Sequence, residues 1–340
     1  MLGRKSGFQA HVKAVSPNAT AVHCFIHRFA LCAKVLPPKL LSCLNRVIRI
    51  VNFVKTSALN TRLFKLLCED FGSDHICLLY HTEVRWLSRG NTTRRLFELR
   101  DELLVFFTEK EHDFQKDLED EEFISRLAYL SDIFGALNHL NLSFQGPNCT
   151  VTEFISKLGA FARKLDLWMK NVESKRYGMF ELLTTLESEP SDELAQEIVH
   201  HLSLLKAELK HYFPDVTCCA YIANPFSVDP ANQPVGTGEQ EELIDIQADE
   251  TAKTKHKECS PLNFWVSMAS SYPTLARHAV PQLLIFPRRG VRTGFSAFMT
   301  IKSKSRNRLA APGHDFRCAV SKVMPRIDQL VEKKQMQPSH

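Results

Sequence analysis

Glu121-Glu122-Phe123-Ile124-Ser125-Arg126-Leu127-Ala128-Tyr129-Leu130-Ser131-Asp132-Ile133-Phe134-Gly135-Ala136-Leu137-Asn138-His139-Leu140 carries Phe123, Leu127, Leu130, Ile133, Leu137 and Leu140 at intervals of three or four residues. That spacing puts all six on one helical face, whereas a strand would send neighbours to opposite faces. The acids at and just before its start, Asp117, Glu119, Asp120, Glu121 and Glu122, read as a solvated polar face. Similar periodicity recurs over Val151–Met169, Met179–Leu186 and Leu194–Leu209, so residues 106–224 are expected to form an all-helical block.

Towards the N-terminus, Phe8, His11, Val12 and Val15 fit a short helix closed by Ser16-Pro17-Asn18. Ala19–Ile26 suits a short buried strand, with a helix from about His27 to Leu36 stopped by Pro37-Pro38. Leu40, Leu44, Val47, Ile48, Val51, Val54 and Leu59 predict helix across 39–68, and Leu96, Leu99, Leu103 and Phe106 predict another over about 91–109. Between these two lies Tyr80–Gly90, read as a strand or loop. Towards the C-terminus, residues 225–259 mix Pro, Gly and Gln with Glu239, Glu241, Glu242, Asp245, Asp249 and Glu250, the composition of an acidic linker or surface loop. Apolar periodicity returns over Pro261–His278 and Gly294–Leu309.

The formal charge of +5 hides a strong partition: residues 1–65 carry eleven Lys and Arg and no carboxylate, and residues 259–314 carry eight and again none. Such stretches suit anionic partners and lack the acids that metal-dependent nucleic-acid chemistry requires. The 340 residues are 44% hydrophobic, and 23 Phe against 6 Tyr point to apolar aromatic cores. Ten scattered cysteines without a Cys-x-x-Cys pair make a reducing compartment the default. The longest apolar runs, such as Cys77–Tyr80 and Val280–Phe286, fall far short of the roughly 20 residues that span a bilayer.

His23, Cys24 and His27 have the donor types of a zinc site, but no second ligand pair follows at finger spacing. A structural Cys/His pair and a role beside nucleic acid stay open for them, and no metal or cofactor is expected. Arg85 and Trp86, followed by Arg89, Arg94 and Arg95, combine a stacking face with phosphate partners. A core tryptophan flanked by solvated arginines is the other reading. Arg288, Arg289, Arg292, Lys302, Lys304, Arg306 and Arg308 could meet phosphates, act as a nuclear localisation patch, or solvate a helix.

His23-Cys24-Phe25-Ile26-His27-Arg28 resembles the Cys-x-x-His segment of hAT-superfamily transposases, and His81–Gly90 resembles their Arg-Trp motif. Pro261-Leu262-Asn263-Phe264-Trp265, Tyr272-Pro273-Thr274-Leu275-Ala276 and Phe295-Ser296-Ala297-Phe298 resemble the family's C-terminal dimerisation region. The chain is thus similar to domesticated transposases of the vertebrate kind fused to BED zinc fingers, SCAN domains or TFII-I repeats. The resemblance implies a ribonuclease-H-like core split by a helical insertion. It also implies an N-terminally truncated relative, with both catalytic aspartates before Met1, and Val291-Arg292-Thr293 stands where the family has Cys-Glu-Ser.

The combined expectation is an α/β fold with a large all-α insertion, predominantly helical overall: a partial ribonuclease-H-like segment at 1–105, a helical insertion at 106–224, an acidic linker at 225–259 and a dimerisation region at 260–332. Without its leading strands such a sheet would expose an unpaired edge. No catalysis is expected, since the remaining alternative, an active transposase or nuclease, needs carboxylates that the sequence does not place. Function would lie in association with itself or with related transposase-derived proteins through Phe264, Trp265, Tyr272, Leu275, Leu283 and Leu284. The alternative partner is DNA, bound without sequence preference through Arg85, Trp86, Arg89 and the C-terminal cations, with a nuclear location implied by the resemblance.

Overall fold

Helices follow one another along the whole of residues 8–17, 23–79, 88–145, 150–214, 220–233 and 236–285, which a computed structural model of the chain describes. They lie in one unit, Met1–Ile285. In order they are α1 (Phe8–Val15), α2 (Phe25–Cys32), α3 (Pro38–Thr56), α4 (Ala58–Asp70), α5 (Ser88–Glu98), α6 (Arg100–Glu109), α7 (Phe114–Glu119) and α8 (Glu121–Ser143). Then come α9 (Val151–Glu173), α10 (Glu181–Thr184), α11 (Asp192–Tyr212), α12 (Ala220–Ala223), α13 (Thr237–Ala248), α14 (Glu250–Glu258), α15 (Pro261–Met268) and α16 (Pro273–Ile285).

Local chemistry sets the boundaries. Side chains of Ser57, Asp120, Thr150, Ser191 and Ser260 accept backbone N–H groups in the first turns of α4, α8, α9, α11 and α15. Pro38 and Pro261 open their helices, where a missing N–H costs nothing. At the end of α4, Gly72 turns at φ 66°, and Ser73 N–H reaches back to Cys68 O at 3.0 Å, a Schellman-type stop.

The α8 helix is the central post. Its residues Leu127, Leu130, Ile133, Phe134 and Leu137 are fully buried, and α3, α5, α7, α10 and α11 pack around it. At the crossing with α5, a Cβ added at Gly90 would lie 2.5 Å from Asn138 Nδ2 and 3.2 Å from Phe134 Cβ. Glycine is therefore required for that helix to approach. Beside this core, α9 packs on α11, and Phe25, Phe144, Phe154 and Phe213 form an aromatic cluster where α2 joins them.

The described residues contain no β-strand, which overturns the α/β, ribonuclease-H-like expectation. Of the anticipated strand at 19–26, Phe25 and Ile26 open helix α2, whose Phe29 and Cys32 are completely buried. Phe25, Phe29 and Cys32 share the helical spacing, and a short apolar run does not by itself distinguish strand from helix. The anticipated α2 also ends early, at Cys32 rather than Leu36. Helix over 39–68 proves to be two helices, because Ser57 breaks the first and caps the second. Residues 80–87 and 19–22 lie outside the described set, whereas Ser88–Gly90 are the first turn of α5. With no sheet among the described residues, an exposed sheet edge has no basis there.

The acidic linker is corrected as well. Residues 237–258 are helices α13 and α14, anchored by buried Leu243, Ile246 and Ala252. Their polar side chains are spent on backbone groups: Asp249 accepts from Thr251 N and Ala252 N at 2.8 and 3.1 Å, and Gln247 Nε2 donates to Pro225 O and Val228 O. A composition typical of linkers is here a set of caps and ties.

Candidate functional site

The expected association residues lie in the C-terminal helices and are mostly interior. Phe264, Trp265 and Leu275 are completely buried, and Leu283 nearly so. Trp265 Nε1 donates to Ile222 O at 2.9 Å, and the indole meets the Tyr221 and Phe264 rings edge-on. Tyr272, half-buried, donates its hydroxyl to Asp249 at 3.1 Å. Of the six, Leu284 alone is strongly exposed, at 59%. These helices thus close a small core of their own around Trp265, with α13 and α15 packed on α16.

Glu242 ties that core together, a role the sequence reading did not assign. Its carboxylate accepts Thr274 N, Thr274 Oγ1 and Leu275 N at 2.6–3.1 Å, so α13 caps the first turn of α16. Burial opposes its charge, but the bonds from Thr274 and Leu275 outweigh it and hold the carboxyl below its usual range. The only sequence signal was a Glu in a stretch that composition assigned to a loop.

The Cys-x-x-His segment forms the entry to α2. His23, Cys24 and His27 are all exposed, and the two imidazoles sit 4.9 Å apart, centroid to centroid. Partial desolvation, then His27 and Arg28, lowers the His23 pKa. Arg28 lies over the Phe213 ring at 4.5 Å. Among the described residues no group of three or more His, Cys, Asp or Glu side chains is placed to hold a metal ion. Cys32 and Cys43 are buried thiols, each pushed up to about 12 by desolvation, which keeps them protonated and unreactive.

The arginines of α5 are engaged in the fold. Arg94 pairs with Glu98 at 2.9 Å, and Arg95 reaches Cys77 O at 3.2 Å while its Nε sits 3.5 Å from the same carboxylate. His75 approaches Glu98 from the preceding segment at 3.4 Å. Arg89 is partly buried, and its carbonyl accepts the Thr93 hydroxyl. Arg85, Trp86, Arg288, Arg289, Arg292, Lys302, Lys304 and Arg306 lie outside the described residues.

Lys39 and Arg46 of the acid-free start meet acids in three dimensions, and Arg126 of α8 does so beside them. Lys39 pairs with Glu193, Arg46 bridges Asp117 at 2.6 Å and Asp113 at 2.9 Å, and Arg126 holds Glu197 through two bonds of 2.9 and 3.0 Å. Lys39, Arg46, Asp117, Arg126 and Glu193 border an open groove of about 740 Å³ and pair with one another across it. The groove carries no arrangement of nucleophile, base and orienting group.

Helix α4 differs from this pattern. Its inner face buries Phe64 and Cys68, but Leu59, Leu63 and Leu66 on the outer side are 63%, 40% and 55% exposed, and Phe71 just past its end is 53% exposed. The spacing was legible, but a helix apolar on two sides reads from sequence as merely hydrophobic. No helix among the described residues is long and apolar enough to cross a membrane.

Residues 23–173 match the model of the FAM200-GTF2IRD2-like family, the FAM200/GTF2IRD2 helical domain. The chain is also 30% identical over 272 residues to General transcription factor II-I repeat domain-containing protein 2 of Mus musculus, an alignment covering 78% of this chain and 28% of that protein. It therefore spans less than a third of that relative's length. No solved structure matches. The helices built around α8 agree with the helical description of the matched family, and over residues 23–173 the chain is similar to that FAM200/GTF2IRD2 helical domain.

Proposed function

We propose that this chain works as a non-catalytic association module, pairing with itself or with related transposase-derived proteins. One observation carries the reading. Among the described residues, charged groups such as Arg46, Arg126 and Glu242 are used in structural pairs and caps, while large apolar side chains remain in solvent on helices that are otherwise well packed, notably Leu59, Leu66, Ile244, Val266 and Leu284. Exposed apolar groups of this kind on a well-formed helical scaffold suit a protein partner. The buried Phe264, Trp265, Leu275 and Leu283 support such contacts by fixing the helices that carry Val266 and Leu284. We place this activity in the nucleus, as the transposase resemblance implies.

Light scattering coupled to gel filtration on the full chain, at low and high salt, tests the proposal. Apolar contacts predict a mass above the monomer that persists at high salt. A monomer under both conditions, together with salt-sensitive binding to a DNA duplex of arbitrary sequence, would replace association by shape-blind DNA binding.

A further inference from the structure

We infer that the outer face of α4 is a self-association surface that pairs antiparallel with α4 of a second copy of this chain. The inference rests on the association reading and names its surface and partner. Leu59, Leu63 and Leu66 repeat at intervals of four and three, the seam spacing of two helices packed along each other. All three are solvent-exposed although α4 is anchored from behind by Phe64 and Cys68. The face is thus rigidly presented.

Charge fixes the direction. Helix α4 has no acid in its first turn and no base in its last. Arg62 and Lys65 lie in its first two-thirds, and Glu69 and Asp70 stand at its C-terminal end, where the helix dipole disfavours carboxylates. Within the helix Glu69 is met by Lys65 at 3.4 Å, with Lys on the N-terminal side, the weaker order for such a pair. An antiparallel copy relieves this arrangement. With Leu63 of one copy opposite Leu66 of the other, Arg62 faces the partner's Glu69–Asp70 end, and Phe71 covers the partner's Leu59. A parallel copy would set like charges side by side.

The surface is small. Four partly exposed side chains cover well under the roughly 800 Å² per partner of a standard interface, so the pairing is reversible with a midpoint in the micromolar range.

Sedimentation velocity on the full chain over a concentration series tests this, with circular dichroism confirming the fold of each variant. Leu63→Glu with Leu66→Glu, both at exposed positions, should weaken dimerisation by about a hundredfold or more. Arg62→Glu alone should weaken it by about tenfold, and adding Glu69→Arg should restore it, because the swap rebuilds the complementary pairs only in an antiparallel dimer. A wild-type monomer at every concentration would overturn self-association itself. A dimer unaffected by the leucine pair would leave association standing and overturn this surface, and failure of the charge swap to rescue would overturn the antiparallel register.

Discussion

Acid should destabilise this protein through His201, by an amount that follows from the depressed pKa of its buried ring. His201 on α11 is 1% exposed and joins three elements: its Nδ1 lies 2.7 Å from the Tyr129 hydroxyl of α8, and its Nε2 lies 3.0 Å from Val35 O after α2. A carbonyl only accepts, so Nε2 carries the proton and Nδ1 receives the bond from Tyr129. The neutral ring is fully satisfied. Protonating it would bury a charge and set a second N–H against a hydroxyl that is itself completely enclosed. Burial foremost, with His200 adding to it, pulls the pKa from 6.5 to about 4. Because the folded value is depressed, the contribution is fully present above about pH 6.5 and is lost as pH falls towards 4. At about 1.4 kcal/mol per pH unit the gap is worth about 3 kcal/mol. Urea unfolding followed by circular dichroism, at steps from pH 7.5 to 4, should show the wild type losing that much more than His201→Gln, which keeps a donor and an acceptor but does not titrate. Asp132, whose carboxyl burial pushes up to about 6, acts in the opposite sense over the same window and cancels in the comparison. Parallel pH profiles for the two proteins would refute the assigned role of His201.

Three further outcomes follow from the packing. Gly90→Ala should lower stability by about 1 kcal/mol net, the clash with Asn138 and Phe134 outweighing the gain in helix propensity; a rise in urea midpoint would show that α5 shifts freely. Glu242→Gln should cost about 1–2 kcal/mol and speed hydrogen exchange at Thr274 and Leu275, whose N–H groups lose a charged acceptor; unchanged exchange would dismiss the cap. Trp265→Ala should lower stability by about 3–5 kcal/mol while leaving the oligomeric mass of the folded fraction unchanged, since the indole faces Ile222 and Tyr221 rather than solvent; a folded variant that only dissociates would reverse that assignment.

Helices whose apolar residues keep a single face could be read directly. Phe123, Leu127, Leu130, Ile133 and Leu137 share the buried side of α8, and Asp120 and Thr150 stand at helix starts as capping chemistry requires. The errors came where composition or family likeness stood in for spacing. Residues 237–258 are rich in acids, yet Leu243, Ile246 and Ala252 are enough to anchor two helices once Asp249 and Gln247 have backbone partners in the fold. No local rule reveals those partners. The same holds for Trp265 and Phe264: sequence identifies large apolar residues but not whether they meet their own chain or another. The ribonuclease-H-like expectation came from resemblance, whereas the strand anticipated at 19–26 came from a short apolar run, which the helical start of α2 at Phe25 contradicts.

The missing acids of residues 1–65 acquire a physical meaning in the folded chain that differs from a nucleic-acid footprint. Lys39 and Arg46 of α3 find Glu193, Asp113 and Asp117 on α11 and around α7, and Arg28 settles on the Phe213 ring, so cations gathered in one stretch of sequence are spent on acids and aromatics gathered in another. Segregating sign along the chain in this way disfavours premature pairing within each segment and rewards docking between them. It also takes up part of the positive charge of this segment. Arg49 and Arg62 are exposed on this N-terminal face, and Arg62 adjoins the leucines of α4. A cation set beside an apolar seam, with carboxylates at the far end of the same helix, is an arrangement that a second helix of this chain matches better than a polyanion does, since a polyanion would meet Glu69 and Asp70 with like charge.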